Sequence, residues 1–166
     1  MNKKGIVIVS FGTSINKAFE NGIKPIEDTI KRTFEGYEYE RAYTSGIIRK
    51  KLKERDGIDI HDPYQAIEAL IRKGCTHIAV QPLHIIPGFE YEKIVNSIEN
   101  IRKEFNTVNI KPGLPLLYHT SDYHKVVESI NESIKYMGIK EDKALVLMGH
   151  GSEHFANSCY FRLIYY

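Results

Sequence analysis

A chain of 166 residues, 42% hydrophobic and 27% charged, has the make-up of an ordinary globular protein, with room for one domain or for one domain and the start of another. Its 23 Lys and Arg nearly balance 21 Asp and Glu, and the net charge of +2 gives no reason to expect nucleic acid as a partner. The apolar runs are far shorter than the roughly 20 residues of a membrane span, and Lys3 and Lys4 precede a run too short for a signal-peptide core, so the expectation is a cytoplasmic protein without membrane contact.

The first element is the apolar run Ile6 to Val9, which suits a central strand buried on both faces of a parallel sheet. Ile15 to Phe34 then carries Ala18, Phe19, Ile23, Ile26 and Ile30 at helical spacing, with Pro25 as a kink or break. A weaker strand is expected at Tyr37 to Tyr43. After it comes TSGIIRKKLKERDGIDI (44–60), whose Arg49, Lys50, Lys51, Lys53 and Arg55 form a cationic cluster. Such a run is usually a solvated helix face; turned toward a sheet edge, it would instead attract a polyanionic substrate. Asp62-Pro63 is a helix start, and Ala66, Ile67, Leu70 and Ile71 share one face of the helix it opens.

HIAVQPL (77–83) is the second buried strand, followed by helical spacing over Tyr91 to Phe105, a weak strand at Val108 to Lys111, and helical spacing over Ser121 to Met137. The third apolar run, Ala144 to Met148, ends at Gly149-His150-Gly151. LVLMGHGSE (145–153) repeats the design of IVIVSFGTS (6–14), with Phe11 opposite His150 and Gly12 opposite Gly151. Strands alternating with helices predict an α/β fold, a parallel sheet flanked by helices on both faces. The repeat divides the chain into a first α/β half over 1–140 and the beginning of a second, similar half over 141–166. The alternative is that 144–148 is the last strand of a single sheet and Glu153 to Tyr166 its closing helix.

In such sheets ligands sit beyond the carboxyl ends of the strands, which gathers SFGTS, HIIPGFE and GHGSEH at one edge. His150 stands there between two glycines that admit a bulky ligand beside its ring. Histidine exchanges protons near neutral pH, and its neutral ring binds borderline metals; a structural role in a tight turn is the alternative. His154, four residues on, either shares a helical face with His150 or caps a helix. Glu90 precedes a helical segment, where the helix dipole by itself favours a carboxylate. His84, inside an apolar run, reads first as a core histidine. Cys75 and Cys159 form neither a CxxC pair nor a disulfide framework, which fits a reduced compartment. No GxGxxG or GxxxxGK[ST] cradle is present, and VSFGTS lacks the nucleophile elbow that would make Ser10 a strong hydrolase candidate.

VSFGTS (9–14), TSGIIRKKLKERDGIDI (44–60), VQPLHIIPGFEYEKIV (80–95) and LMGHGSEH with the aromatic segment after it (147–161) together resemble the anaerobic cobalt chelatases, which insert cobalt into sirohydrochlorin. The resemblance implies two similar α/β halves facing each other across a cleft that holds the tetrapyrrole, with Co²⁺ as the substrate metal and no organic cofactor. It implies His150 as metal ligand and proton acceptor, and Glu90 as a second catalytic residue at the same cleft. The expected substrate-binding residues are Ser10, Phe11, Gly12, Thr13 and Ser14 of the first junction and Pro87, Gly88 and Phe89 of the second. The family's second cleft histidine and another acidic metal contact belong to the second half, beyond Tyr166. Iron insertion into the same ring, a non-catalytic tetrapyrrole or metal binder, and a homo-oligomer are the further expectations.

Overall fold

The computed structural model describes residues 3–138 and 145–166. Four strands, β1 (Lys3–Ser10), β2 (Glu38–Tyr43), β3 (Cys75–Pro82) and β4 (Asn109–Pro112), form one parallel sheet in the order β2-β1-β3-β4. The two most apolar runs therefore occupy the two central positions, and the weaker runs form the edges.

The ladder register sorts the side chains onto two faces. Val7 and Val9 of β1, Ala42 of β2, Ile78 and Val80 of β3 and Ile110 of β4 point to one side. There they meet α4 (Pro63–Arg72) and α5 (Phe89–Glu104) through Ala66, Ile67, Leu70, Ile94, Ile98 and Ile101, all fully buried. Each large aliphatic side chain so buried is worth roughly 1.5–3 kcal/mol, so this layer carries most of the fold. α4 begins where the sequence predicts: Asp62 accepts from the Gln65 N–H while the Gln65 side chain accepts from the Asp62 N–H.

The opposite face is built differently. Pro25 has no N–H to donate and its ring crowds the preceding turn, so the helical stretch from Asn16 is not continuous. A short α1 (Asn16–Ala18) opens into a π-turn over Phe19–Ile23 and resumes as α2 (Lys24–Thr33). α2 lies against β1 and β2 and places Glu27, 1% exposed, on the Arg41 guanidinium through two hydrogen bonds. The β3–β4 part of this face carries His77, Ala79, Gln81, Asn109 and Lys111 and is only partly covered.

α3 (Gly46–Asp56) and α6 (Thr120–Tyr136) complete the described helices of more than one turn and a half. The predicted strand at 144–148 is corrected: Ala144 lies outside the described residues, and Leu145, Val146, Leu147 and Met148 form no strand and are 47–95% exposed. An apolar run becomes a strand only where a neighbouring strand takes up its backbone hydrogen bonds, and among the described residues none pairs with it. The C-terminal segment is anchored instead by side chains. Ala156, with the partly buried Cys159, Tyr160 and Leu163, joins Ile86, Leu117 and Tyr123 in a second, smaller core. This cluster holds a short helical segment, Phe155–Asn157 followed by α7 (Ser158–Arg162), beside the sheet edge.

Candidate metal and substrate site

β1 and β3 run side by side, so the loops after Ser10 and after Pro82 emerge together. Leu83 N–H donates to the Val9 carbonyl at 2.7 Å and Thr44 N–H to the Ser10 carbonyl at 2.9 Å, which ties the ends of β1, β2 and β3 to one rim. The segment Leu83–Gly88 is strapped down further, because Leu116 and Leu117 donate to the carbonyls of His84 and Ile85. Against this rim the second core sets the loop carrying His150.

A cavity of about 410 Å³ lies between them, within the size range of small-molecule sites. Phe11, His84, Glu90 and His150 line it together with Gly88 and Phe89. The structure thus brings residues from all three predicted junctions to one hollow, with the Phe11 and His150 rings 6.3 Å apart between centroids. His150 itself is exposed. Of the other expected substrate contacts, Ser10 is buried beneath the rim and Gly12 packs under the Tyr43 ring. Thr13 caps the backbone of Ile15, the Ser14 carbonyl accepts from Arg55, and Pro87 stands in the loop without lining the cavity.

Glu90, in the first turn of α5, accepts from Lys93 Nζ at 2.6 Å through Oε1, whereas Oε2 is buried without a hydrogen-bond partner. Burial pushes its pKa up, but the Lys93 hydrogen bond, the neighbouring Thr44 hydroxyl and the positive charge of Lys93 outweigh this and hold it below the ordinary carboxylate value. It is an anion at neutral pH. His84, which reads first as a core histidine, is partly buried and lines the cavity wall. Burial pushes its pKa down to about 4, with Glu90 opposing, so the ring is neutral. Its Nε2 lies 3.4 Å from Thr44 Oγ1 and its Nδ1 is buried and unpartnered. Tyr160, which the sequence reading did not single out, lines the cavity and packs over Gly149, where a Cβ would stand 3.0 Å from the ring. Nothing in local spacing signals Tyr160, since its place depends on which segments meet in space.

His154 serves structure. Its Nδ1 accepts from the Ala156 N–H at 3.0 Å, so Nε2 carries the proton and donates to Glu92 Oε1 at 3.1 Å, with the ring edge-on to Phe89. The capping alternative is therefore the one observed, and His154 shares no helical face with His150. In the cationic helix α3, Arg49, Lys50, Lys53 and Arg55 face Asp62, Glu54, Asp59 and Asp56 respectively, and none lines the cavity. Lys50, Lys53 and Arg55 thus form a solvated, locally paired face, while Arg49 is mostly buried against Asp62.

Among the described residues no group of three His, Cys, Asp or Glu is preassembled to grip a metal ion, and no helix is long and apolar enough to cross a membrane. Both cysteines are free and neither lines the cavity. The potential donors that line the cavity are imidazole and carboxylate, residue types that suit borderline divalent ions.

Two relatives match nearly the whole chain. A protein of Salmonella typhimurium named sirohydrochlorin cobaltochelatase is 37% identical over 158 residues, covering 95% of this chain and 58% of that protein. Sirohydrochlorin cobaltochelatase CbiKC of Nitratidesulfovibrio vulgaris is 33% identical over 164 residues, 96% of this chain and 56% of the relative. The chain thus spans little more than half the length of the curated relatives it matches. Its fold is that of the sirohydrochlorin chelatase SirB from Bacillus subtilis subspecies spizizenii in complex with cobalt, with a TM-score of 0.60 at 19% identity over 81% of this chain and 51% of that one. The model of the family described as cobalt chelatase (CbiK) matches residues 4–165, and the chain belongs to that family.

Proposed function

We propose that this chain forms one wall of a sirohydrochlorin cobaltochelatase site and takes part in inserting Co²⁺ into the macrocycle during cobalamin synthesis, in the anaerobic pathway and in the cytoplasm. The observation that carries the reading is the meeting of His150, Glu90 and Phe11 on one cavity, in a chain whose relatives are named for this reaction. Residues 1–140 are the first half of the protein in this reading and 141–166 the beginning of a similar second half. The share of the relatives' length that the chain covers supports that division.

Metal insertion requires two pyrrole protons to leave while the ion exchanges its ligands for ring nitrogens. A well-placed general base contributes on the order of 10²–10⁴-fold to proton transfer. His150 presents Co²⁺ and accepts one proton; Glu90, held as a carboxylate by Lys93, assists removal of the other or orients the ring. Phe11 and Phe89, both largely exposed on the cavity wall, supply apolar faces for the macrocycle, while Ser10, Gly12, Thr13, Ser14, Pro87 and Gly88 fix the two loops that carry them. A closed thiolate cage would trap the ion. Imidazole with carboxylate does not select cobalt by affinity alone, so Fe²⁺ offered in parallel measures selectivity.

The test mixes the protein with Co²⁺ and sirohydrochlorin and follows the absorption change. Turnover is expected, and His150→Ala lowers its rate at limiting Co²⁺ by about 100-fold or more. An unchanged rate removes His150 from the chemistry, and a spectral shift that saturates at one ring per chain makes the protein a binder rather than an enzyme.

A further inference from the structure

The two lips of the cavity come from different parts of the chain. Gly88, Phe89 and Glu90 belong to the start of α5, whereas His150, Gly151 and Ser152 belong to a loop outside the sheet. The sheet does not hold that loop, because the run before it, Leu145–Met148, pairs with no strand among the described residues. Its ties lead instead to the short helical segment that follows. The Ser152 N–H donates to Asn157 Oδ1 at 3.1 Å, Ser152 Oγ accepts from the His154 N–H at 3.1 Å, and the Tyr160 ring covers Gly149. Where His150 stands therefore depends on where the segment from Ser152 to Tyr160 is fixed.

The smaller core buries that segment against Ile86, Leu117 and Tyr123, but apolar contact has no direction and permits sliding. Direction comes from one polar contact. Among the described residues, the bond of His154 Nε2 to Glu92 Oε1, at 3.1 Å, is the only hydrogen bond between 145–166 and the sheet with its flanking helices, 3–112. Because Nδ1 accepts from the Ala156 N–H, Nε2 carries the proton and the carboxylate accepts it, a charge-assisted bond. It lands on α5 two residues beyond Glu90. The His154 ring is buried, stands edge-on to Phe89 with centroids 4.8 Å apart, and has its Cβ beside Gly88.

We propose that His154 is a positioning residue for metal insertion: clasped to Glu92, it fixes the His150 loop against the first turn of α5 and so sets the separation of His150 from Glu90. Neither His154 nor Glu92 lines the cavity, so both act through other residues. That the separation governs insertion rests on the chelatase reading; the clasp itself rests on the contacts. A misplacement of about 1 Å costs on the order of 100-fold in rate, so a loop without strand partners needs such a clasp.

The Glu92 side chain is 54% exposed, and Glu92→Ala removes the acceptor without opening a core. Hydrogen exchange at the Ala156 amide, which is bonded to the same ring, should quicken about tenfold, while the amides of β3 keep their protection. The NMR signals of the His150 ring, 6.3 Å from the Phe11 ring, should shift. The kcat of Co²⁺ insertion should fall about tenfold or more, with KM for sirohydrochlorin nearly unchanged. A merely stabilising contact would lower Tm without separating kcat from KM. Glu92→Gln keeps an acceptor oxygen and drops the charge at the start of α5, so recovery of all three readings assigns the effect to the clasp rather than to the helix dipole. The proposal is overturned if Glu92→Ala leaves exchange and ring signals as they were, if these change while kcat does not, or if Glu92→Gln fails to restore them. Absence of turnover by the unsubstituted chain would sink the chelatase reading, and exchange and ring signals would still decide the clasp.

Discussion

Gly12 sits at φ +94°, where a side chain is strained, and a Cβ built on it would run into the ring of the buried Tyr43. Gly12→Ala therefore bears two separate penalties: about 1–3 kcal/mol for the backbone and about 1–3 kcal/mol for overpacking. Gly36 has nearly the same φ, +86°, with nothing within 4 Å of its virtual Cβ. Gly36→Ala bears the backbone penalty alone. Urea denaturation of the two variants should show Gly12→Ala the less stable by at least about 1 kcal/mol. Equal losses would mean that the Tyr43 contact is not what demands glycine there. Because Gly12 comes directly after Phe11, the crowded variant should also disturb the Phe11–His150 pair at the cavity.

At the level of elements, α2 and β2 are joined by the buried ion pair of Glu27 with Arg41, on which Phe19 of the π-turn also stacks, 4.4 Å from the guanidinium carbon to the ring centroid. Removing one partner of a buried pair costs about 3–5 kcal/mol. Arg41 is 27% exposed and recovers some hydration, so Glu27→Ala should fall at about 3 kcal/mol. For a chain of this size that lowers Tm by roughly 6–12 °C. The double variant Glu27→Leu with Arg41→Met should regain most of the loss, since a packed apolar pair replaces the ionic one; if it is no better than the single variant, the pair is not the joint between these elements. This joint also marks the limit of what the sequence discloses. IVIV is legible as a strand because burial on both faces leaves no polar alternation. HIAVQPL is read correctly as a strand although only its Ile78–Val80 face is fully buried, and Asp62-Pro63 is legible because a cap is local chemistry. Glu27 stands among apolar helix positions and looks like surface until Arg41, on another element, is seen beneath it. Leu145–Met148 misled for the converse reason: composition met the strand pattern, but among the described residues no neighbour completes the ladder. The rim residues His150 and Glu90 were visible as glycine-flanked and helix-leading positions. His84 was visible as a buried histidine, but its contact with Thr44 and its place in the cavity wall appear only once the segments meet in space.

The molecule as a whole has two cores with the cavity between them, and His84 stands on the strap that links them through Leu116 and Leu117. Its neutral burial makes global stability depend on pH in a defined direction. The unfolded chain takes up a proton at this residue near pH 6.5, whereas the folded chain does so only near 4. Between those values the unfolded state binds more protons, so stability present above pH 6.5 is lost as the pH falls. Of the charged groups facing the ring, Glu90 opposes the shift and Lys93 reinforces it, and Thr44 supplies its hydrogen bond. The loss from His84 alone reaches about 2 kcal/mol at about pH 5, before the depressed Glu90 begins to titrate. The chain has seven histidines, so the measurement is a difference that isolates His84. Urea midpoints of the unsubstituted chain and of His84→Phe are compared at about pH 7 and about pH 5, without metal. The unsubstituted chain should lose about 2 kcal/mol more than the variant. Parallel losses would show that the folded ring is solvated and exchanges its proton as it does in the unfolded chain.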